Sequence, residues 1–480
     1  MTKLPTGLGL LSACLCSAAV AQTLPTEVEA ALNRAKVPRE AVSVLVMEAD
    51  GRGSPRLSHR AQIPMNPASV MKLVTTYAAL DLLGPAYTWQ TPVYLEGTVK
   101  DGTLLGNLYI EGRGDPKLVV ERLWLLLRRV QGLGIQKIAG DIVLDRSAFA
   151  ANGTDPSTFD GEPLRPYNAT PDALLINFKS VVMTFVPDLG NNVARIQYEP
   201  PLAGVQLPAV VALSNGACND YRATLQADFT DANQFRFSGT YPATCGERVW
   251  PIAYVDPVSY SARAVEGLWR DMGGQLTGRA REGRLPVAPA KTLKPVFEIS
   301  SPSLGEVVRD VNKYSNNVMA QHLLLTLSLL ARVPNDARPL SPPASLEASR
   351  DLLLRWWKDR WGGNDLPVID NGAGLSRDGR ITAQALGRLL QTAYRSPLMP
   401  ELMASLPISG VDGTLRRSKA QSPGIAHLKT GSLRDVTAIA GYVLASSGKR
   451  YVLVALVNHA NANAARPAFE ALQDWVVNDN

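Results

Sequence analysis

The last residues of the chain pose a pairing problem that constrains the whole fold. "TAIAGYVLASSGKRYVLVALVNHA" reads as two β-runs around a Ser-Ser-Gly-Lys turn, and "ARPAFEALQDWVVN" closes the chain as a helix. A hairpin and one helix need further sheet partners. The Val- and Leu-rich run "AVSVLV", which begins at Ala41, is a ready one at the opposite end of the chain. Between them, from about Thr91 to Pro251, the texture changes. Short β-like runs recur ("TPVYLEGTVKDGTLLGNLYIEG", "KIAGDIVLD", "ARIQYEP", "VQLPAVVALSN", "QFRFSGTYPA"), separated by Gly, Asn, Asp and Pro, with one helical stretch, "PKLVVERLWLLLRRVQGLG". Helical texture returns with "SYSARAVEGLWRDMGG" and "SLGEVVRDVNKYSNNVMAQHLLLTLSLLA". The pattern predicts an α/β domain made from both chain ends with a mostly β insertion between them. Contiguous domains in a row are the alternative.

Composition excludes some functions. The 480 residues are 46% hydrophobic and 19% charged, and the net charge of +6 is spread along the chain. No Lys/Arg block marks a nucleic-acid groove. The first 21 residues, by contrast, carry one Lys, a short apolar run and a small-x-small site at Ala19-Val20-Ala21. This is the pattern of a secretory leader cleaved before Gln22, with a run too short to span a membrane. A rival reading takes "LSAC" as a lipoprotein box with Cys14 acylated. If Cys14 and Cys16 leave with the leader, Cys218 and Cys245 remain. An even pair in an exported chain invites a disulfide, against the alternative of two buried thiols. The protein is expected to be periplasmic, with peripheral or no membrane contact.

The candidate chemistry begins in "NPASVMKLVTTYAALDLLG", Asn66 to Gly84. Asn66 suits an N-cap, Pro67 the first helical position and Gly84 the C-terminal cap, so Ser69 is expected in the first helical turn. Lys72 then lies one turn beyond on the same face. A serine hydroxyl needs a base to become a nucleophile, and a desolvated lysine near other cations can serve. A second Ser-x-x-Lys, Ser446 to Lys449, falls in the hairpin turn with no helix to hold it and reads as structural. The first has company. "YSNN" supplies Ser315 and Asn317, and "HLKTGS" supplies Lys429, Thr430, Gly431 and Ser432 on an expected strand. The four histidines (His59, His322, His427, His459) lack metal-ligand spacing, and neither metal nor cofactor is expected. The Trp-rich "RWWKDRW" reads as a helix burying its indoles rather than a membrane anchor.

Ser-x-x-Lys, Ser-x-Asn and Lys-Thr-Gly in that order form the motif set of the serine penicillin-recognising enzymes. The interval from Ser69 to Ser315 is much longer than in class A β-lactamases, and the second motif is Ser-Asn-Asn. "EPLRP" at Glu162 precedes that motif and lacks the Asn of a deacylating loop. With "LYIEGRGDPKL", "GDIVLDRSAF", "DNGAGLSRDGRIT", "LPISGVDGTLRR", "KTGSLRDVTAIAGYV" and "VNH", the chain resembles the D-alanyl-D-alanine carboxypeptidase/endopeptidase family, the class C low-molecular-mass penicillin-binding proteins of peptidase family S13.

That resemblance implies a penicillin-binding/β-lactamase-like transpeptidase domain, an antiparallel sheet flanked by helices, with two nested β-rich insertions. After a signal peptide (1–21), it places the catalytic domain at 22–92 and 255–480. One insert would span 93–165 and 246–254, and a nested one 166–245 with Cys218 and Cys245. It implies that Ser69 attacks the penultimate D-Ala carbonyl, Lys72 takes its proton, and Ser315 relays a proton to the leaving group, aided by Lys429. Asn317 would bind the stem-peptide amide and hold Lys72. Thr430 and Ser432 would bind the terminal carboxylate, Gly431 would admit the ligand, and the backbone N–H groups of Ser69 and Ser432 would form the oxyanion hole. Arg377, Glu162 and Tyr167 align with residues that contact the stem's diamino acid. The implied partners are stem peptides ending in D-Ala-D-Ala and β-lactam inhibitors. A β-lactamase or esterase using the same acyl-enzyme, or a non-catalytic cell-wall scaffold, is the alternative, and oligomeric state is not implied.

Overall fold

The computed structural model describes residues 23–150, 155–286, 293–330 and 342–479. The leader, with Cys14, Cys16 and the Ala21 cleavage site, lies outside the described residues.

The two chain ends meet in one antiparallel sheet of five strands, in the order Ala426–Leu433, Val436–Leu444, Arg450–Asn458, Val42–Glu48, Leu57–His59. The N-terminal run pairs with the second hairpin strand from Val42 against Val457 to Glu48 against Tyr451. Side chains alternate along each strand, so a strand rich in apolar residues feeds two cores. Val44, Val46, Leu453 and Val457 face the first helix, Thr26–Arg34, and the last, Arg466–Val477. Leu45, Val452, Val454 and Leu456 face the opposite way, into a helical layer containing Lys72–Leu83, Leu304–Lys313, Asn317–Leu330, Leu346–Trp361 and Ala383–Tyr394. Trp356 and Trp357 are buried in that layer. Lys72–Leu83 is apolar on nearly every side, with each residue from Lys72 to Leu80 buried, as a helix central to such a layer must be.

The insertion holds two more five-stranded sheets among the described residues. One runs Ala280–Glu282, Ile142–Asp145, Leu108–Glu111, Gln90–Leu95, Phe297–Ser300. The other runs Tyr241–Pro242, Val210–Ser214, Val193–Glu199, Ser180–Asp188, Arg248–Ala253. A disulfide joins Cys218 to Cys245.

The strand pairing divides the chain differently from the expected boundaries. Tyr260–Asp271 buries Tyr260, Val265, Leu268 and Trp269 in the insertion's core, and Phe297–Ser300 pairs with Gln90–Leu95. Both fall within the 255–480 segment expected to be catalytic. Arg248–Ala253, expected in the outer insert, pairs with Ser180–Asp188 of the nested one. Amphipathic periodicity shows which face of an element is buried but not which core receives it. We propose a catalytic unit of 23–89 with 301–479 and an insertion of 90–300, its two sheets sharing one apolar core that contains Val93 and Phe185 alike.

Candidate active site

The position of Ser69, the candidate nucleophile, is set by a short clamp. Pro67 has no N–H to offer, and the Asn66 side chain accepts from the N–H of Ala68 at 2.8 Å. Ala68 takes a left-handed conformation, φ +46°. The chain then makes a 3-10 turn, Ala68–Met71, before the α-helix begins at Lys72. Ser69 therefore lies in this tighter turn and not, as the spacing predicts, in the first α-helical turn. Gly84 ends the helix at φ +79°, as expected. Asn66 exchanges two backbone–side-chain hydrogen bonds with Asn458 on the third sheet strand, at 2.8 and 2.9 Å. Gly374 closes the other side: a Cβ there would stand 1.9 Å from the Ala68 carbonyl oxygen.

Lys72 is fully buried and donates to Ser69 Oγ at 2.9 Å, to Asn317 Oδ1 at 2.6 Å and to the carbonyl of Ala373 at 2.6 Å. All three acceptors are neutral. Burial, and then the nearby charge of Lys429, push its pKa well below the usual lysine value. Ser315 sits at φ +57° in the turn between Leu304–Lys313 and Asn317–Leu330. Its Oγ accepts from Lys429 Nζ at 2.9 Å. Lys429, also fully buried, has its pKa lowered to about 7 by desolvation. Two amines, each on a different serine, thus sit where a proton is easily given up.

Lys429, Thr430, Gly431 and Ser432 lie on the edge strand Ala426–Leu433. A Cβ on Gly431 would stand 2.4 Å from the Pro67 carbonyl oxygen and 3.1 Å from Ser69 N. The glycine lets the strand press against the turn that carries Ser69. Thr430 and Thr414 hydroxyls meet at 2.7 Å. A cavity of about 400 Å3 runs along this edge, lined among others by Ser69, Ser315, Thr430, Gly431 and Ser432.

The outlying residues separate. Arg377 reaches Asp435 at 3.0 Å, its guanidinium lies 4.9 Å from the Phe159 ring centre, and it lines a second cavity of about 330 Å3 with Asp155, Arg350 and Asp370. Tyr167 donates its hydroxyl to Asp160 at 2.8 Å, and its backbone carbonyl accepts from Asn317 Nδ2 at 3.0 Å. Glu162 is exposed, pairs with Arg165 at 3.4 Å and lines neither cavity. The motif reading named neither Ala373 nor Thr414 nor Asn458, although each falls within a stretch quoted above. Their contributions, a carbonyl oxygen, a loop hydroxyl and a cross-strand amide, have no spacing signature.

A serine held by a buried lysine with no carboxylate among that lysine's hydrogen-bond partners in the described residues, at the edge of an antiparallel sheet under a helical layer, is an arrangement suited to a serine acyl-transfer hydrolase. The chain belongs to the D-Ala-D-Ala carboxypeptidase 3 (S13) family, whose model matches residues 24–478. It is 27% identical over 451 residues to a D-alanyl-D-alanine carboxypeptidase of Actinomadura sp. (strain R39), covering 91% of this chain and 80% of the relative. It is 25% identical to the D-alanyl-D-alanine carboxypeptidase DacB of Haemophilus influenzae, covering 82% and 80%. The fold is similar to the crystal structure of penicillin binding protein 4 (dacB) from Haemophilus influenzae, with a TM-score of 0.71 at 22% identity over 93% of this chain and 99% of that one. It is also similar to a predatory endopeptidase from Bdellovibrio bacteriovorus, with a TM-score of 0.53 at 16% identity, covering 92% and 94%.

Proposed function

We propose that this serine hydrolase cleaves D-Ala-D-Ala ends or D-Ala cross-links of peptidoglycan stem peptides through an acyl-enzyme on Ser69. The observation that carries the reading is Lys72 Nζ, buried 2.9 Å from Ser69 Oγ with only neutral acceptors. Burial favours the free amine, and a free amine at that distance is a general base. Lys72 takes the Ser69 proton as Oγ adds to the D-Ala carbonyl carbon. Ser315, hydrogen-bonded to Lys429, passes a proton to the departing amine as the C–N bond breaks. Water then attacks the ester and restores the serine. Backbone N–H groups of Ser69 and Ser432 stabilise the oxyanion, a contribution of about 3 kcal/mol per donor in comparable sites. The contact of Gly431 with Ser69 N supports this, because it brings both groups to one place.

Asn317 fixes Lys72 through Oδ1, and with one Nδ2 proton spent on the Tyr167 carbonyl it keeps the second for the stem's amide carbonyl. Thr430 and Ser432 bind the carboxylate beside the scissile bond, with Lys429 adding charge. Arg377, beside Phe159, binds the carboxylate of the diamino acid. Tyr167 acts through its backbone on Asn317. Glu162, exposed and paired with Arg165, has a weaker case for a contact with the diamino acid's amine. Export to the periplasm is supported by the leader pattern and the Cys218–Cys245 disulfide. Among the described residues no helix is long and apolar enough to cross a membrane. β-Lactams are the expected inhibitors, and the Haemophilus protein has been solved with one.

The test is an intact-mass time course after excess benzylpenicillin, on wild type and Ser69→Ala. A stoichiometric, slowly lost adduct on wild type only supports the reading. Drug consumption without an adduct identifies a β-lactamase instead, and labelling of both proteins removes Ser69 from its role.

A further inference from the structure

The cavity at the edge strand is larger than a terminal D-alanine requires. Besides Ser69, Ser315, Thr430 and Ser432, it is lined by Arg417 of the 413–418 segment and by Arg466 and Gln473 of the last helix. At about 400 Å3 it falls within the roughly 300–1,000 Å3 of sites that hold drug-sized ligands. A D-Ala leaving group offers only one methyl and one carboxylate. Ile439 and Phe469, both buried, give the cavity an apolar wall.

Three polar donors on this lining are without a partner among the described residues. Arg417 and Arg466 are exposed, and neither has an ion-pair or hydrogen-bond partner among the described residues. Glu470, the acidic residue on the wall, already accepts from Lys419 N at 2.7 Å. Gln473 is 2% exposed, and its Oε1 accepts from Ser409 at 3.0 Å. Its Nε2 has no partner among the described residues. A buried amide donor without an acceptor is a cost that a ligand oxygen can relieve. Two free guanidinium groups and a free amide donor suit a ligand with a carboxylate beyond the one beside the scissile bond.

We propose that the 413–418 loop and the last helix form a leaving-group subsite, with Arg417 and Arg466 as its specificity-determining residues. The subsite receives the second stem of a cross-linked peptide, so the enzyme prefers cross-links to free D-Ala-D-Ala ends. This rests on the acyl-enzyme reading above and says which leaving group Ser69 displaces best. The bond broken is the same in both substrates: the D-Ala acyl group passes to Ser69 Oγ and the amine departs with the relayed proton. For a cross-link that amine belongs to a diamino acid on another stem, which carries further carboxylates along its length. Those carboxylates reach the arginines, and the stem's apolar atoms cover Phe469 and Ile439.

The experiment compares kcat/KM for cleavage of a purified cross-linked stem dimer with kcat/KM for D-Ala release from a monomeric pentapeptide stem. It uses wild type, Arg417→Ala/Arg466→Ala and the charge-retaining Arg417→Lys/Arg466→Lys, with penicillin acylation as the check on an assembled site. The expected result is a wild-type preference for the dimer, a fall of about tenfold or more in the dimer-to-monomer ratio in the alanine variant, and partial recovery with lysine. An unchanged ratio overturns the subsite, whether both activities persist or fall together. So does recovery absent with lysine when both variants acylate normally. A wild type that neither acylates nor cleaves either substrate overturns the reading beneath it as well.

Discussion

Lys72 and Lys429 hold the two serines of the site in matched fashion, Nζ to Oγ at 2.9 Å in each case, and the charge of Lys429 depresses the pKa of Lys72. Neither amine meets a carboxylate among its hydrogen-bond partners. Each serine therefore has a proton acceptor or donor of its own, and the protonation of one lysine affects the other.

The pairing predicts a shift in the pH profile. In the proposed mechanism neutral Lys72 is the base, so acylation is expected to fall as pH drops through its pKa. Lys429→Met removes a charge that lowers that pKa, so the acid limb of penicillin acylation moves to higher pH. Lys429→Arg keeps the charge and keeps the limb near its wild-type position. Rates from about pH 5 to about pH 10 decide the matter, read as properties of the coupled pair.

Stability should carry the same signature. Desolvation lowers the pKa of Lys429 to about 7 in the folded protein, well below the ordinary lysine value of the unfolded chain. Between these values the unfolded chain binds more protons, so stability rises with pH across that window. Urea unfolding is expected to show a more stable wild type at about pH 9 than at about pH 7. The Lys429→Met variant should lose part of that rise.

Gly431→Ala tests the close approach. The new Cβ, 2.4 Å from the Pro67 carbonyl oxygen, must push the edge strand away from the Ser69 turn. Acylation is expected to fall about 10²-fold, since a displacement of about 1 Å at a reacting group costs that much. Thermal melting should change far less, because the clash lies at a sheet edge.

Asp412→Ala tests the support beneath the Ser315 turn. Lys313 Nζ is bound to Asp412 at 2.6 Å, with the lysine side chain 4% exposed and the aspartate 34%. Removing the carboxylate strands a buried ammonium. The expected loss is roughly 2 kcal/mol in urea unfolding, less than for a fully buried pair because Asp412 is partly solvated. Asp412→Asn should lose less.

The Cys218–Cys245 bridge joins residues 27 apart in sequence within the insertion, and neither cysteine lines the cavity at Ser69. Replacing both cysteines by serine should cost about 3 kcal/mol of stability in the oxidised protein. The rate of penicillin acylation should stay within about twofold. A comparable fall in acylation would couple the insertion to the site.

The charged and hydroxyl groups of the proposed site are legible in the sequence because local geometry carries them. Ser69 and Lys72 share a face over a single turn, Ser315 and Asn317 flank a helix start, and Lys429 to Ser432 follow one strand. The Ala373 carbonyl on Lys72 and the Tyr167 carbonyl on Asn317 were not legible, since any residue type can supply a backbone oxygen. Nor was the Asn66–Asn458 clamp, which joins residues 392 apart in sequence. The role of Gly431 was only partly legible: its motif marks a close approach, while the fold shows that the backbone approached is the nucleophile's. The end proposed for the insertion differs from the sequence expectation because the helix Tyr260–Asp271 is amphipathic in either domain.

By itself the sequence determined which side chains could react, and that a terminal hairpin of apolar strands must find sheet partners; the pairing of Val42–Glu48 with Arg450–Asn458 decided for a domain made from both chain ends over contiguous ones. The tertiary structure decided whether those side chains can react. A lysine's pKa is set by the water it loses and the charges it meets, and both depend on what the fold packs around it. Lys72, the proposed base, has its pKa lowered because the helical layer buries it among neutral oxygens beside a second cation. Lys449, in the same Ser-x-x-Lys spacing, is an exposed hairpin residue paired with Glu48, which raises its pKa and keeps it charged.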